Sequence, residues 1–353
     1  MDHASASSVA LDGRRARLAD VARLAGVSTA TVDRVLHGRT NVRSATAQRV
    51  LKAAAELQYL PEGDLLRALQ PAPMELAFVL PAGTNRYLQM LGDYVGYSQE
   101  ALAPFNVHCR AHFVDSFDPA VLARGLLRHG RGVAGLAFMA IEHPLVREAV
   151  ATLHARGTHV VTLISDLPGS HRAAYVGLDN RAAGRIAGLL IGRFLGTRGG
   201  KVAMIAGSLS YRGHEEREIG FLNLMKDEFP ALQVIGVREG RDDAETNYRQ
   251  ARGLLEQHPD LVGLYNIGGA SDGVGRALKD AGRDRKVVFV GHGLTPDTRA
   301  LLVDGTMDAV ITQHQQTMIH NCVRIFTNLR DGRAANAGVE RVRIDIVLRE
   351  NLL

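Results

Sequence analysis

The chain is predicted to fold as a small all-α domain followed by a larger α/β domain of two lobes, each built on a doubly wound parallel sheet. Three observations carry this. Residues 17–61 show short helical patterns meeting at a glycine corner. From Met74 onward, short apolar runs alternate with amphipathic helices. About ten such runs occur, more than one doubly wound domain comfortably holds. At 353 residues the chain is also too long for a single core.

Residues 1–16 are polar and small and read as a disordered tail. A first helix spans Leu18 to Ala25 and stops at Gly26, the second runs from Ser28 to Leu36, and the third covers roughly Arg43 to Leu57. A sharp corner between two short helices favours a residue without a Cβ, so the pattern reads as a helix-turn-helix. Ala22 sits where the helices would cross. Val21, Leu24, Val27, Val32, Val35, Leu36, Val50 and Leu51 recur at helical spacing and are expected to fill one core. Ser28, Thr29, Ala30, Asp33 and Arg34 are left to face outward, a surface that could enter a DNA major groove. Residues 62–73, closed by two prolines, read as a linker.

Strands are expected at Glu75–Leu80, Val107–Val114, Ala134–Met139, His159–Ile164, Ala174–Leu178, Lys201–Ala206, Gln233–Val237, Leu261–Ile267, Lys286–Gly291 and Asp308–Thr312. Helices fall between them, as at Arg181–Leu195, His214–Glu228 and Asp272–Ala281. Apolar strands separated by helices imply parallel sheets covered on both faces.

The formal charge of +5 is unevenly spread. Residues 14–69 hold ten Lys/Arg against five Asp/Glu, so the rest of the chain sums to zero. A positive excess on the helix-turn-helix suits phosphate attraction. The two cysteines, Cys109 and Cys322, argue against a disulfide framework and fit a reducing compartment. No run approaches eighteen uninterrupted apolar residues, so no membrane span is expected. The first residues lack the apolar core and cleavage site of a secretory signal, and a cytoplasmic location is expected.

Enzymatic motifs fail on spacing. Ile267–Gly275 does not satisfy G-x-G-x-x-G, His214-Glu215-Glu216 is not H-E-x-x-H, and there is no G-x-S-x-G elbow. No metal or cofactor is expected, and the protein is read as a non-enzyme.

The segments D-V-A-x-x-A-G-V-S (Asp20–Ser28), T-V-x-R-V-L-x-G (Thr31–Gly38) and Q-Y-x-P (Gln58–Pro61) resemble the lactose-repressor (LacI/GalR) family of bacterial transcription regulators almost position for position. The second part resembles the type I periplasmic sugar-binding fold that this family carries behind its DNA module. That resemblance implies three crossings between lobes, placed near Gly177, after Gln313 and before Arg341–Leu348. The first lobe would then comprise 74–176 and 314–340, and the second 177–313 and 341–353. It also implies double-stranded operator DNA, a sugar or polyol effector and a homodimer as partners, with repression the commoner mode. A solute-binding protein feeding a transporter and an enzyme on a two-lobed scaffold are the competing readings.

By resemblance, Thr29 and Ala30 would read base edges, with Arg34 one turn on able to bond guanine bidentately. Ser28 is a good N-cap whose helix start can hold a phosphate, with Thr31 in the same first turn. Asp33 stands where the family most often has Ser; it can orient Arg34 or accept from a cytosine amine. Arg39, Asn41 and Arg43 read as phosphate clamps. Arg17 replaces the Thr that commonly caps the first helix. The family's minor-groove Leu would fall on Ala68, so either a one-residue insertion lets Leu69 serve or the wedge is missing; Leu69 is favoured.

For the cleft, Asn85 could bond hydroxyls through both amide groups and Tyr87 could cover an apolar sugar face. Arg217 and Gln313 match pocket residues of the family. The family's Asn-Asp pair after the strand at Leu261–Ile267 is replaced by Gly269-Ala270. Asp272 would need a different loop to substitute for it. Glu142 with His143, and His292, lie at strand ends as further polar candidates.

Overall fold

The computed structural model describes residues 16–37, 42, 44–59, 73–115 and 117–352. The expectations for Arg39, Asn41, Arg43, Leu69 and the linker 62–72 fall outside these residues. The described chain divides into a helical unit and an α/β unit beginning at Met74.

The helical unit holds α1 (Leu18–Ala25), α2 (Thr29–Leu36) and α3 (Ser44–Glu56). Gly26 ends α1 at φ 64°, and Val27 N–H reaches back to the Ala22 carbonyl at 3.0 Å. That left-handed residue turns the chain sharply into α2. The Arg17 side chain makes no cap bond. Instead the Asp20 carboxylate accepts from Arg17 N–H at 2.9 Å. Val21, Ala22, Ala25, Val32, Val50, Ala53 and Ala54 form the core. Leu24, expected there, is 45% exposed. Leu18, Val21, Ala22 and Ala25 follow i, i+3, i+4, i+7, and Leu24 lies roughly 110° round the helix from the centre of that face.

The α/β unit contains two sheets. The first has the order β2-β1-β3-β4-β5, from β1 (Met74–Pro81), β2 (Val107–Val114), β3 (Gly135–Phe138), β4 (His159–Leu163) and β5 (Ala174–Val176), all parallel. The second has the order β11-β10-β9-β8-β6-β7, from β6 (Gly200–Ala206), β7 (Leu232–Glu239), β8 (Leu261–Asn266), β9 (Val288–His292), β10 (Ala309–Thr312) and β11 (Asp345–Val347). Only β11 is antiparallel, added to the edge against β10. Leaving β11 aside, both sheets share one winding order and present their strand carboxyl ends as the natural ligand edge. Central β1 is buried almost throughout, whereas edge strand β2 alternates at its start, as the two environments require.

Nine helices complete the unit among the described residues: α4 (Arg86–Leu102), α5 (Pro119–His129), α6 (Pro144–Ala155), α7 (Asn180–Leu195), α8 (Arg212–Glu228), α9 (Ala244–Gln257), α10 (Ser271–Asp280), α11 (Pro296–Asp304) and α12 (Gln315–Arg330). Helix α12 follows β10 of the second sheet yet packs on α4, β4 and β5 of the first lobe. The chain therefore passes between lobes after β5, after β10 and again before β11. Helices α7 and α8 touch backbone to backbone: a Cβ on Gly184 would lie 2.0 Å from the Arg217 carbonyl oxygen, and one on Gly220 2.1 Å from that of Arg181. This reciprocal glycine contact sets the position of Arg217 in the cleft.

Candidate functional site

Two surfaces matter. On the helical unit, Ser28 Oγ accepts from Thr31 N–H at 3.2 Å and lies 2.9 Å from the Thr31 hydroxyl, so both residues are engaged in starting α2. Ser28, Thr29, Ala30 and Arg34 are exposed. Arg34 makes no hydrogen bond or ion pair among the described residues. Asp33 holds His37 Nδ1 at 3.1 Å. The α2 face thus offers a hydroxyl, a methyl and an unengaged guanidinium, a combination that can read base edges.

In the α/β unit, a cavity of about 50 Å³ lies between the lobes at the strand carboxyl ends. Asn85, Tyr87, Arg217, His292 and Gln313 all line it, brought together from segments up to 228 positions apart. Met139, Ile164, Leu178 and Ile311 supply apolar wall.

Arg217 is 4% exposed. Its Nε donates to Asn180 Oδ1 at 2.8 Å and its Nη1 to the Ile267 carbonyl at 2.8 Å. No carboxylate lies within ion-pair distance among the described residues, and Nη2 has no protein acceptor there. Burial lowers the Arg217 pKa; Tyr265, Tyr175, Asp242 and Tyr87 oppose this. Burial likewise pushes the Tyr87 phenol up, and its hydroxyl donates to the Gln313 carbonyl at 2.9 Å. His292 Nε2 lies 2.7 Å from the Tyr265 hydroxyl. Its pKa falls well below the ordinary value through burial, then through Arg217 and His214. His214 is driven to about 4, chiefly by burial. Both imidazoles are therefore neutral at pH 7, leaving Arg217 as the formal cation of the lining.

The carboxylate of the lining is one that sequence reasoning missed. Asp242, 6% exposed, sits in the turn between β7 and α9. Its Oδ1 accepts from Gly269 N–H at 2.7 Å, and its Oδ2 accepts from Asn85 Nδ2 at 3.0 Å. Side chains at Gly207 or Gly268 would collide with it, since their Cβ atoms would lie 2.4 and 2.3 Å from Oδ1. Where the family pattern has an acid after β8, this chain has Gly269, whose backbone presents an acid from a neighbouring turn. Two features of the sequence bore on this: the missing acid after β8 and the Asp-Asp pair at 242–243, whose second member N-caps α9.

Three expectations need correction on placement. Glu142 does not reach the cavity, because its carboxylate is held by Arg147 at 2.6 and 2.8 Å. His143 instead N-caps α6. Asp272 is exposed at the start of α10, beside Asp297 and outside the main cavity. The Asn85 amide is not free at both ends: Oδ1 accepts from Leu88 N–H at 3.3 Å, while Nδ2 is bonded to Asp242. Gln313 Oε1 accepts from Leu178 N–H at 2.9 Å, tying two interlobe crossings side by side.

The lobes are closed upon each other. Besides Asn85–Asp242, the Thr84 hydroxyl donates to the Asp242 carbonyl at 3.1 Å, and Glu142 N–H donates to the Ser210 carbonyl at 3.0 Å. The lining carries one cation, one anion, neutral donors and acceptors, and apolar wall. It suits a small polyhydroxylated molecule bonded from several sides.

Comparison with known proteins agrees with both halves. Residues 110–334 match the model of the periplasmic binding protein domain, and residues 17–62 that of bacterial regulatory proteins of the lacI family. The D-allose-binding periplasmic protein of Escherichia coli (strain K12) is 26% identical over 188 residues, 51% of this chain and 60% of that protein. The sucrose operon repressor of Escherichia coli is 57% identical over 64 residues, 18% of this chain and 19% of the repressor. The chain thus spans less than two thirds of either relative. Among solved structures, GanP, a glucose-galactose binding protein from Geobacillus stearothermophilus, superimposes with a TM-score of 0.71 at 21% identity, covering 80% of this chain and 99% of GanP.

Proposed function

Because the chain belongs to the periplasmic binding protein domain family and its residues 17–62 match the lacI family of bacterial regulatory proteins, we propose that it is a ligand-responsive transcriptional regulator, a repressor, working in the cytoplasm. Paired helix-turn-helix heads of a homodimer bind a near-palindromic operator, since protein two-fold symmetry is mirrored in the DNA. A small saccharide or polyol occupies the interlobe cavity; a relative named for D-allose supports that class. Exposed Tyr94 and Tyr97 on α4 offer apolar surface for the second copy. The observation that carries the reading is the presence in one chain of an exposed α2 face, with Arg34 unengaged, and of a polar cavity between two lobes.

The mechanism is linkage. An effector shifts operator affinity only as far as it prefers one lobe arrangement over another. The cavity lining holds no arranged nucleophile and base, which supports a binding rather than a catalytic role. A gel shift on the DNA upstream of its own gene neighbourhood, with and without sugars, tests the proposal. Retention of a fragment by the wild type and its loss in Arg34→Ala is the expected result. Binding of no fragment in any condition would sink the regulator reading.

A further inference from the structure

The first lobe carries a cationic surface that the effector cleft does not use. Residues 119–141 contain Arg124, Arg128 and Arg131 and no Asp or Glu; residues 149–165 contain Arg156 and again no acid. The fold gathers these stretches at one end. Helices α5 and α6 run antiparallel to the strands, so Arg128, Arg131 and Arg156 all emerge at the amino edge of the first sheet. There Ala134 N–H bonds the Glu75 carbonyl at 2.9 Å, and the Thr158 hydroxyl bonds the Gly130 carbonyl at 3.2 Å. The three arginines are exposed and ring a concavity floored by Leu127. None has a side-chain hydrogen bond or ion pair among the described residues. The rings of His112 and His129 stack 3.9 Å apart beside them, and after burial Arg128 is among the charges lowering both of their pKa values.

Cations near helix carboxyl ends are favoured by the helix dipole, which accounts for Arg128 and Arg156 singly. It does not account for Arg131, between Gly130 and Gly132, or for three guanidinium groups on one concavity with no ion pair among the described residues. This edge is also the one at which β1 begins.

Resting on the regulator reading, we propose that Arg128, Arg131 and Arg156 form a second nucleic-acid contact: a sequence-independent site for the phosphates of duplex DNA, separate from the base-reading face of α2. Guanidinium groups suit phosphate through their forked donors, and contacts of this kind position a protein without specifying sequence.

The test is the salt dependence of full-chain binding to a labelled random-sequence duplex, read by fluorescence anisotropy. Each phosphate contact adds roughly 0.9 to the slope of log K against log salt. Replacing all three arginines by alanine is expected to reduce that slope by roughly 2.7, with the thermal midpoint nearly unchanged. The triple Arg→Lys variant keeps the charge and is expected to hold the slope, which also covers an alanine variant that does not fold. A slope equal to wild type in the alanine variant, or one lost in the lysine variant, overturns the proposal. If Arg34→Ala alters operator binding while the alanine variant keeps the wild-type slope, only this second contact falls. If the wild type binds no duplex, both readings fall.

Discussion

The contact between Asn85 and Asp242 joins the lobes, and its strength sets how hard an effector must work to rearrange them. Asn85 Nδ2 donates to a carboxylate oxygen at 3.0 Å in the interlobe cavity. Hydrogen bonds to charged groups contribute about 1.5–3 kcal/mol net. At 1.4 kcal/mol per factor of ten, removing this one should raise the open-to-closed ratio by roughly 10–150-fold. Asp242→Ala also strands the Gly269 N–H, so the single variant alone confounds two losses. A cycle of Asn85→Ala, Asp242→Ala and the double variant separates them. The assay is the interlobe distance distribution from spin labels at Glu148→Cys in the first lobe and Lys226→Cys in the second. Cys109 and Cys322 are buried and stay unlabelled. Asn85→Ala should open the wild type strongly and the Asp242→Ala background hardly at all. An equal shift in both backgrounds would refute a direct tie.

Other expectations follow from the same geometry. Alanine at Gly184 or Gly220 forces α7 and α8 apart and displaces Arg217. Such overpacking costs about 1–3 kcal/mol, and effector-induced thermal shifts should vanish while operator affinity in gel shifts holds. His214 and His292 have depressed folded pKa values, so the unfolded chain binds more protons, and stability is complete above the unfolded pKa and lost as pH falls below it. For His214, with a folded pKa of about 4, the loss between pH 7 and pH 5 is about 2 kcal/mol. A denaturation midpoint that ignores pH in this window, or a slope unaltered in His214→Gln, would contradict it. Burial pushes the Cys109 thiol up to about 12, so a thiol reagent should modify neither cysteine before unfolding. Ser28→Ala removes the cap of α2 at a cost of about 1 kcal/mol, read as loss of helicity and weaker operator binding.

Much of the architecture was legible in the chain because it is local. Gly26 and Ser28 punctuate α1 and α2 through their own backbone and side-chain chemistry. The continuous apolar run of β1 requires burial on both faces, and repeated strand–helix alternation in two sets implies two sheets. Leu24 was misread because an apolar residue one position off the helical face counts as a match in the pattern but not in space.

The cleft was legible only in part. Asn85, Tyr87, Arg217 and Gln313 stand out because each follows a strand or sits in a recognisable motif. What those side chains hold could not be seen there, since a hydrogen bond between positions 85 and 242, or 178 and 313, leaves no trace in local spacing. The relocation of the cleft's carboxylate to Asp242 is of the same kind. So is the gathering of Arg128, Arg131 and Arg156 at one edge. Periodicity and turn chemistry act over a few residues, and these the sequence alone determined. Which loops meet is decided when parallel strands align their ends, and only the tertiary structure decided that Asp242 faces Asn85.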